Sequence, residues 1–139
     1  MSNLTDISDV IIIGSGPAGL SAAIYVVRAG LSVTVIEKEL MGTGQIADSS
    51  KVDNYLGIPA ISGYDLGESF REHALSLGVT IEDNNVTRLT TVDDIWELEL
   101  SDGSTKKAQC VIYAAGCSHK KLQAENEEQY TGKGISYCA

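Results

Sequence analysis

The run Gly14-Ser15-Gly16-Pro17-Ala18-Gly19 constrains this chain more than any other feature. It has the spacing G-x-G-x-x-G and lies between a short apolar, β-branched run, Asp9 to Ile13, and a segment with helical signals, Pro17 to Ala29. Proline suits a first helical turn, and Gly30 suits the position after the last. In a strand–turn–helix of this kind each glycine has a separate task. Gly14 lets the chain leave the strand sharply, Gly16 lets backbone approach a pyrophosphate, and Gly19 lets the helix pack against the sheet. The helix start offers unpaired N–H groups and the positive end of a dipole to phosphates. Gly14, Ser15, Gly16, Pro17, Ala18 and Gly19 are therefore candidate dinucleotide-holding residues. The same spacing also occurs as a plain glycine-rich turn in other α/β folds, so a second signal is needed.

Ser32 to Glu37 supplies it. This is a second apolar strand, and strand, helix and strand together make one βαβ unit with a right-handed crossover. Glu37 ends the strand 18 positions after Gly19. A carboxylate there can accept hydrogen bonds from ribose hydroxyls and would repel a 2′-phosphate. The pattern predicts a dinucleotide and does not by itself choose which one.

Lys38 to Gly63 has no strong period and contains several glycines, which in a compact domain marks a functional stretch. Asp65 to Leu77 reads as a second helix, capped by Asp65 and ended by Gly78. Strands are expected at Val79 to Ile81, Val86 to Thr91 and Ile95 to Leu100. A hairpin turn at Ser101-Asp102-Gly103-Ser104 then leads to a return at Thr105 to Ala108 and another apolar strand from Gln109 to Ala114. From Cys117 the chain turns polar, as at a domain boundary or linker.

The chain has 139 residues, which suits one domain. Its net charge of −9, with no basic run, disfavours nucleic acid. The N-terminus lacks the basic start of a signal peptide, and no apolar run approaches membrane-spanning length, so the expectation is a cytoplasmic protein with no membrane partner. Cys110, Cys117 and Cys138 do not describe a disulfide framework, and no Cys or His pair has zinc-ligand spacing, so no metal is expected. Cys110 reads as core, Trp96 as packing, and His73 and His119 as surface.

Several further segments fall in a familiar order. Glu37-Lys38, Gly44-Gln45-Ile46, Val52-Asp53-Asn54-Tyr55-Leu56-Gly57, Ile61-Ser62-Gly63, Ala114-Ala115-Gly116 and Gly132-Lys133-Gly134-Ile135-Ser136-Tyr137-Cys138-Ala139 follow the glycine turn. From Val10 onward the chain resembles the low-molecular-weight thioredoxin reductases, class II of the pyridine nucleotide-disulfide oxidoreductases. Departures from that pattern are Thr43 in place of a frequent glycine, Leu56 in place of proline, Ala115 in place of threonine and Cys117 in place of a small residue.

The resemblance implies FAD, with its pyrophosphate on the glycine turn and its ribose at Glu37 beside Lys38. It implies Gly44, Gln45 and Asn54 near the flavin, the Val86 backbone against the adenine, and Ala115 and Gly116 closing the site. Asn54 can alternatively be a turn residue bonding its own backbone. Cys138 matches the first cysteine of a redox-active Cys-Ala-Thr-Cys pair, whose two thiols divide attack and resolution. The resolving cysteine, the NAD(P)H fingerprint and the closing C-terminal segment do not occur in these residues.

The resulting expectation is an α/β, Rossmann-like βαβ FAD-binding domain with a parallel sheet and a small antiparallel β-meander, incomplete at the C-terminus. Residues 1–116 would be its first segment. Residues 117–139 would be a linker and the start of an NAD(P)H and redox-disulfide domain. The complete enzyme would pass electrons from NAD(P)H, through FAD, to the cysteine pair and on to thioredoxin or a similar protein disulfide, and a homodimer is compatible with it. This stretch alone should not run the full reaction, and self-association or weak cofactor retention is expected of it. A ferredoxin–NADP reductase in which Cys138 is incidental, or a stand-alone dinucleotide-binding module, are the alternatives.

Overall fold

Hydrophobic β-branched runs separated by one amphipathic helix produce a twisted sheet in this computed structural model, which describes residues 7–39 and 42–137. Strand β1 spans Ile7–Ile13, helix α1 Pro17–Arg28 and strand β2 Val33–Glu37. A single 3-10 turn, Gln45–Asp48, interrupts the long glycine-containing stretch, and an isolated bridge joins Val52 to Ile61. Helix α2 spans Gly63–Ser76, followed by β3 (Thr80–Asp83), β4 (Val86–Val92), β5 (Ile95–Leu100) and β6 (Thr105–Tyr113). A short helix α3, Glu127–Tyr130, lies in the polar tail.

The strands form one six-stranded sheet in the order β3-β2-β1-β6-β5-β4. β1 is parallel to both β2 and β6, and β2 is parallel to β3. The carboxyl ends of these four strands therefore share one sheet edge. The chain leaves β1 toward β2 on one side, while β6 occupies the other. That makes β1 the point where the strand order reverses, the crevice where ligands of open α/β sheets bind.

Two apolar clusters hold the sheet. On one face Leu20 and Ala23 of α1 and Ala74 of α2 pack on Val10, Ile12, Val33 and Val35. On the other, Ile11 and Ile36 meet Leu98, Leu100 and Ala108, with Trp96 packed alongside. The meander β4-β5-β6 thus covers the face that the helices leave bare, and a Lys106–Glu82 ion pair of 2.8 Å ties it to β3. Alternation along β1 and β2 is what sends successive residues to the two clusters.

Three expectations change. The return from the hairpin and the following apolar run are one strand, because no turn residue separates them. Its residues Thr105 to Ala108 pair antiparallel with β5, and from Lys107 to Tyr113 it runs parallel beside β1. Helix α2 begins earlier than expected, because Ser62 is its cap: the Ser62 hydroxyl accepts from the Asp65 N–H at 3.0 Å and donates to the Asp65 carboxylate at 2.6 Å. Asp65 sits in the first turn, where its charge suits the helix dipole. Cys110 is exposed, not core. It pairs with Val10 in the register, but the helices pack over β1 and β2 and leave this part of β6 uncovered.

Leu98, fully buried between the meander and the sheet, is the plainest test of the second cluster. Leu98→Ala should destabilise the chain by about 2–5 kcal/mol. Urea unfolding should show a lower midpoint with an unchanged slope.

Candidate functional site

The end of β1 and the start of α1 meet at the glycine turn. Gly14 has φ +102, and a side chain there would come within 2.9 Å of the Ala114 carbonyl carbon and 3.1 Å of the Ala115 Cα. Gly19 lies against the Gly14 backbone, with only 3.0 Å to its carbonyl carbon from a Cβ position. The turn is therefore wedged between β6 and its own helix. Gly16 is the helix cap in extended conformation, no side chain caps α1, and its first turn holds no acid. The first intrahelical donor is Leu20 N–H, onto Gly16 at 3.0 Å. The amides of Ala18 and Gly19 lie ahead of it, and Pro17 at the first turn has no N–H to satisfy. This is a donor set with no acid in its own first turn, which suits an anion.

Glu37 stands opposite. Its carboxylate is buried and accepts from Ser15 N–H at 2.7 Å, Ser15 Oγ at 2.9 Å and Glu39 N–H at 3.0 Å. The Ser15 hydroxyl also contacts the Gly42 carbonyl. Burial pushes the Glu37 pKa up, but the Ser15 and Glu39 donors outweigh it and hold the group below its ordinary 4.5. It is thus an anion locked in orientation at the end of β2. The chain after β2 continues the enclosure, since Glu37 C=O accepts from Asn84 N–H at 2.8 Å, drawing the β3–β4 connection to the same place.

The loop after β2 folds back on the turn. From the Cβ position of Gly16, the Gly44 Cα is 3.7 Å away and the Thr43 carbonyl 3.9 Å. Gln45 begins the 3-10 turn, and its side-chain amide donates to the Cys117 carbonyl. So Gly44, Gln45, Gly16, Ala115 and Gly116, read from separate stretches of sequence, converge on one edge of the sheet. Ala115 and Gly116 are exposed there, and Gly116 takes φ +69.

Lys38 lines an open cleft of about 380 Å³ with Asp83, Asn84, Asn85, Ser101 and Asp102. Val86 follows that lining directly, at the start of β4, with its side chain packed into the second cluster. Asn54 is exposed in the loop closed by the Val52–Ile61 bridge, and no contact brings it to the turn. Cys138 lies outside the described residues. Thr43, Gly42, Asn84 and the Cys117 carbonyl join the neighbourhood without having been singled out as contacts. Only Thr43 and Cys117 carried a signal, as departures from a family pattern. Among the described residues no His, Cys, Asp and Glu group is placed to hold a metal ion, and no helix is long and apolar enough to cross a membrane.

Comparison with known proteins gives a consistent pattern. The family described as pyridine nucleotide-disulphide oxidoreductase matches residues 8–139. The chain is 43% identical over 131 residues to a 34.2 kDa protein in the rubredoxin operon of Clostridium pasteurianum, covering 94% of the chain and 42% of that protein. It is 39% identical over 133 residues to a thioredoxin reductase of Mycoplasma genitalium, covering 96% of the chain and 42% of the relative. The crystal structure of thioredoxin reductase from Streptococcus pyogenes superposes with a TM-score of 0.82 at 34% identity, covering 96% of this chain and 43% of that one. The chain therefore spans about two fifths of the length of the relatives it matches.

The Glu37 lock has a defined pH signature. A carboxylate whose folded pKa is depressed stabilises the fold above its unfolded value, and that contribution is lost as pH falls through the folded one. Glu37→Gln should therefore be less stable than wild type at neutral pH, and the gap should shrink as pH drops below 4.5. Urea unfolding across that range checks it; a gap independent of pH would show that the charge at Glu37 is not what the Ser15 donors hold.

Proposed function

The chain belongs to the pyridine nucleotide-disulphide oxidoreductase family, and from that premise we propose that it is the FAD-binding portion of a thioredoxin-reductase-like flavoprotein. The observation that carries this reading is the pairing of uncapped α1 amides with the buried Glu37 carboxylate across the reversal point of the sheet.

Each part has a task that its chemistry suits. The Ala18 and Gly19 N–H groups would donate to pyrophosphate oxygens, with Pro17 presetting the backbone and Gly14, Gly16 and Gly19 allowing close approach. Glu37, oriented by Ser15, would take the neighbouring ribose hydroxyls. The cleft beside Lys38 and the Val86 backbone would receive the adenine. Gln45 and Asn54 would meet the polar edge of the flavin, since a carboxamide both donates and accepts. Gly44, Ala115 and Gly116 would let backbone come close on either side of it. FAD bound there supplies two-electron chemistry linking a nicotinamide to a disulfide.

On this reading residues 1–116 are the first segment of the flavin domain, and residues 117–139 lead into the part that carries the redox cysteines. Cys138 would be the first of the pair. The reaction of the whole protein would be reduction of a thioredoxin-like protein disulfide by NAD(P)H. Its setting would be the reducing cytoplasm, where exposed thiols such as Cys110 and Cys117 stay free.

Titrating FAD into the purified chain should quench flavin fluorescence to saturation at a single site, and ADP should compete. NADP should compete less well than NAD, because its 2′-phosphate meets the Glu37 charge. Absence of FAD binding, or FAD binding that ADP does not displace, would overturn the assignment.

A further inference from the structure

Thr43 touches two elements at once. Its side chain is buried, 2% exposed, and lies on α2 where that helix has Gly67: a Cβ at Gly67 would be 2.6 Å from the Thr43 Cβ and 3.2 Å from its Cγ2. Its carbonyl is 3.9 Å from the Cβ position of Gly16, on the opposite side. The next residue, Gly44, is closer still to the turn. From its Cβ position, the Gly16 Cα is 3.2 Å away and the Pro17 Cδ 3.6 Å. The same loop is fixed to the start of α2 by the Gly63 N–H, which donates to the Ser49 carbonyl at 2.8 Å. At these positions α2, the loop and the glycine turn thus approach one another in series.

We propose that Thr43 is a positioning residue, a strut seated on Gly67 that sets where the Gly44–Gln45 backbone presses on the Gly16 turn, and so the shape of the dinucleotide site beside that turn. The proposal rests on the assignment of that turn to FAD. The argument is one of volume. Well-packed cores do not absorb an added methyl without moving something. α2 is held by its buried face, through Leu66 and Ala74, and the loop is the softer partner. A side chain at residue 67 would therefore drive Thr43 away from α2, toward the glycine turn. Conversely, removing the Thr43 side chain would leave a gap above Gly67 into which the loop could sag. The two positions should behave as a complementary pair: one large and one small residue, in either order.

The test is a double-mutant cycle on the intact chain, with FAD as the probe, read by fluorescence quenching and by the shape of the visible flavin absorption band. Gly67→Ala should weaken FAD binding by at least about tenfold, and Thr43→Gly by about threefold. The double variant, with the small and large residues exchanged, should return to within about threefold of wild type and recover the wild-type band shape. Circular dichroism with thermal unfolding tracks the fold of each. Thr43→Gly only removes atoms from a loop, so its value is obtained even should Gly67→Ala fold poorly. If wild type binds FAD but Gly67→Ala binds equally well, or the double variant is as weak as the product of the singles, the strut is wrong and the flavin assignment stands. If wild type binds no FAD, both fall together.

Discussion

The close packing of Gly14 and Gly19 is the constraint from which the remaining geometry follows. A helix can offer its first amides to a ligand at the edge of a sheet only if it starts within contact distance of the strand that feeds it. Here the turn is pressed between the Ala114–Ala115 backbone of the neighbouring strand end and the first turn of α1. That contact fixes where Ala18 and Gly19 lie, and it also fixes where β6 must end. A side chain at either glycine would separate helix and sheet, and the buried contacts of Leu20 and Ala23 with Val10 and Ile12 would open with it.

A carboxylate beside the proposed phosphate site would by itself work against it. The structure resolves this by giving Glu37 its own donors. Ser15 contributes both its N–H and its hydroxyl, so the charge is held at the end of β2, and on the proposed reading the amides further along the helix would remain for the phosphates. Ser15 itself is fully buried and is joined to the Gly42 carbonyl, which links the turn to the loop that follows β2. One hydroxyl thereby couples three stretches of chain. The described part of the loop between β2 and α2 has little regular structure; besides local turn bonds such as Val52 N–H to the Ile61 carbonyl, it is tied to Ser15 of the turn, to Cys117 and to the start of α2.

What was legible in the sequence follows from how local each signal is. The βαβ unit and its glycines were readable because a strand, a turn and a helix each declare themselves within a few residues. Glu37 was readable by its spacing. The unity of β6 was not, because one strand pairs with β5 along its first residues and with β1 from Lys107 onward, and a strand's pattern says nothing about its neighbours. Cys110 looked like core for the same reason: burial on that face depends on how far α1 and α2 reach across the sheet, which the alternation of β6 does not encode. Ser62 lost to Asp65 as a cap because both residue types favour that position, and only the chain geometry shows that they act together. The contact of Thr43 with Gly67 was beyond reading, since it joins residues 24 positions apart through volume alone.

Charge brings these elements to one physical statement. The chain carries a net −9, and a dinucleotide is itself an anion, so the long-range field of the protein opposes binding. Of the residues gathered at the strand edge, Lys38 is the cation, and it is exposed and partnered by Glu39 at 3.8 Å. An exposed pair of that kind contributes little. On the proposed reading the attraction would come from groups that carry no net charge: backbone N–H dipoles aligned at the start of α1, effective only within the first turn. A site of that kind works through contact rather than through reach. Small displacements of the backbone around Gly16 therefore matter more to it than any substitution of surface charge.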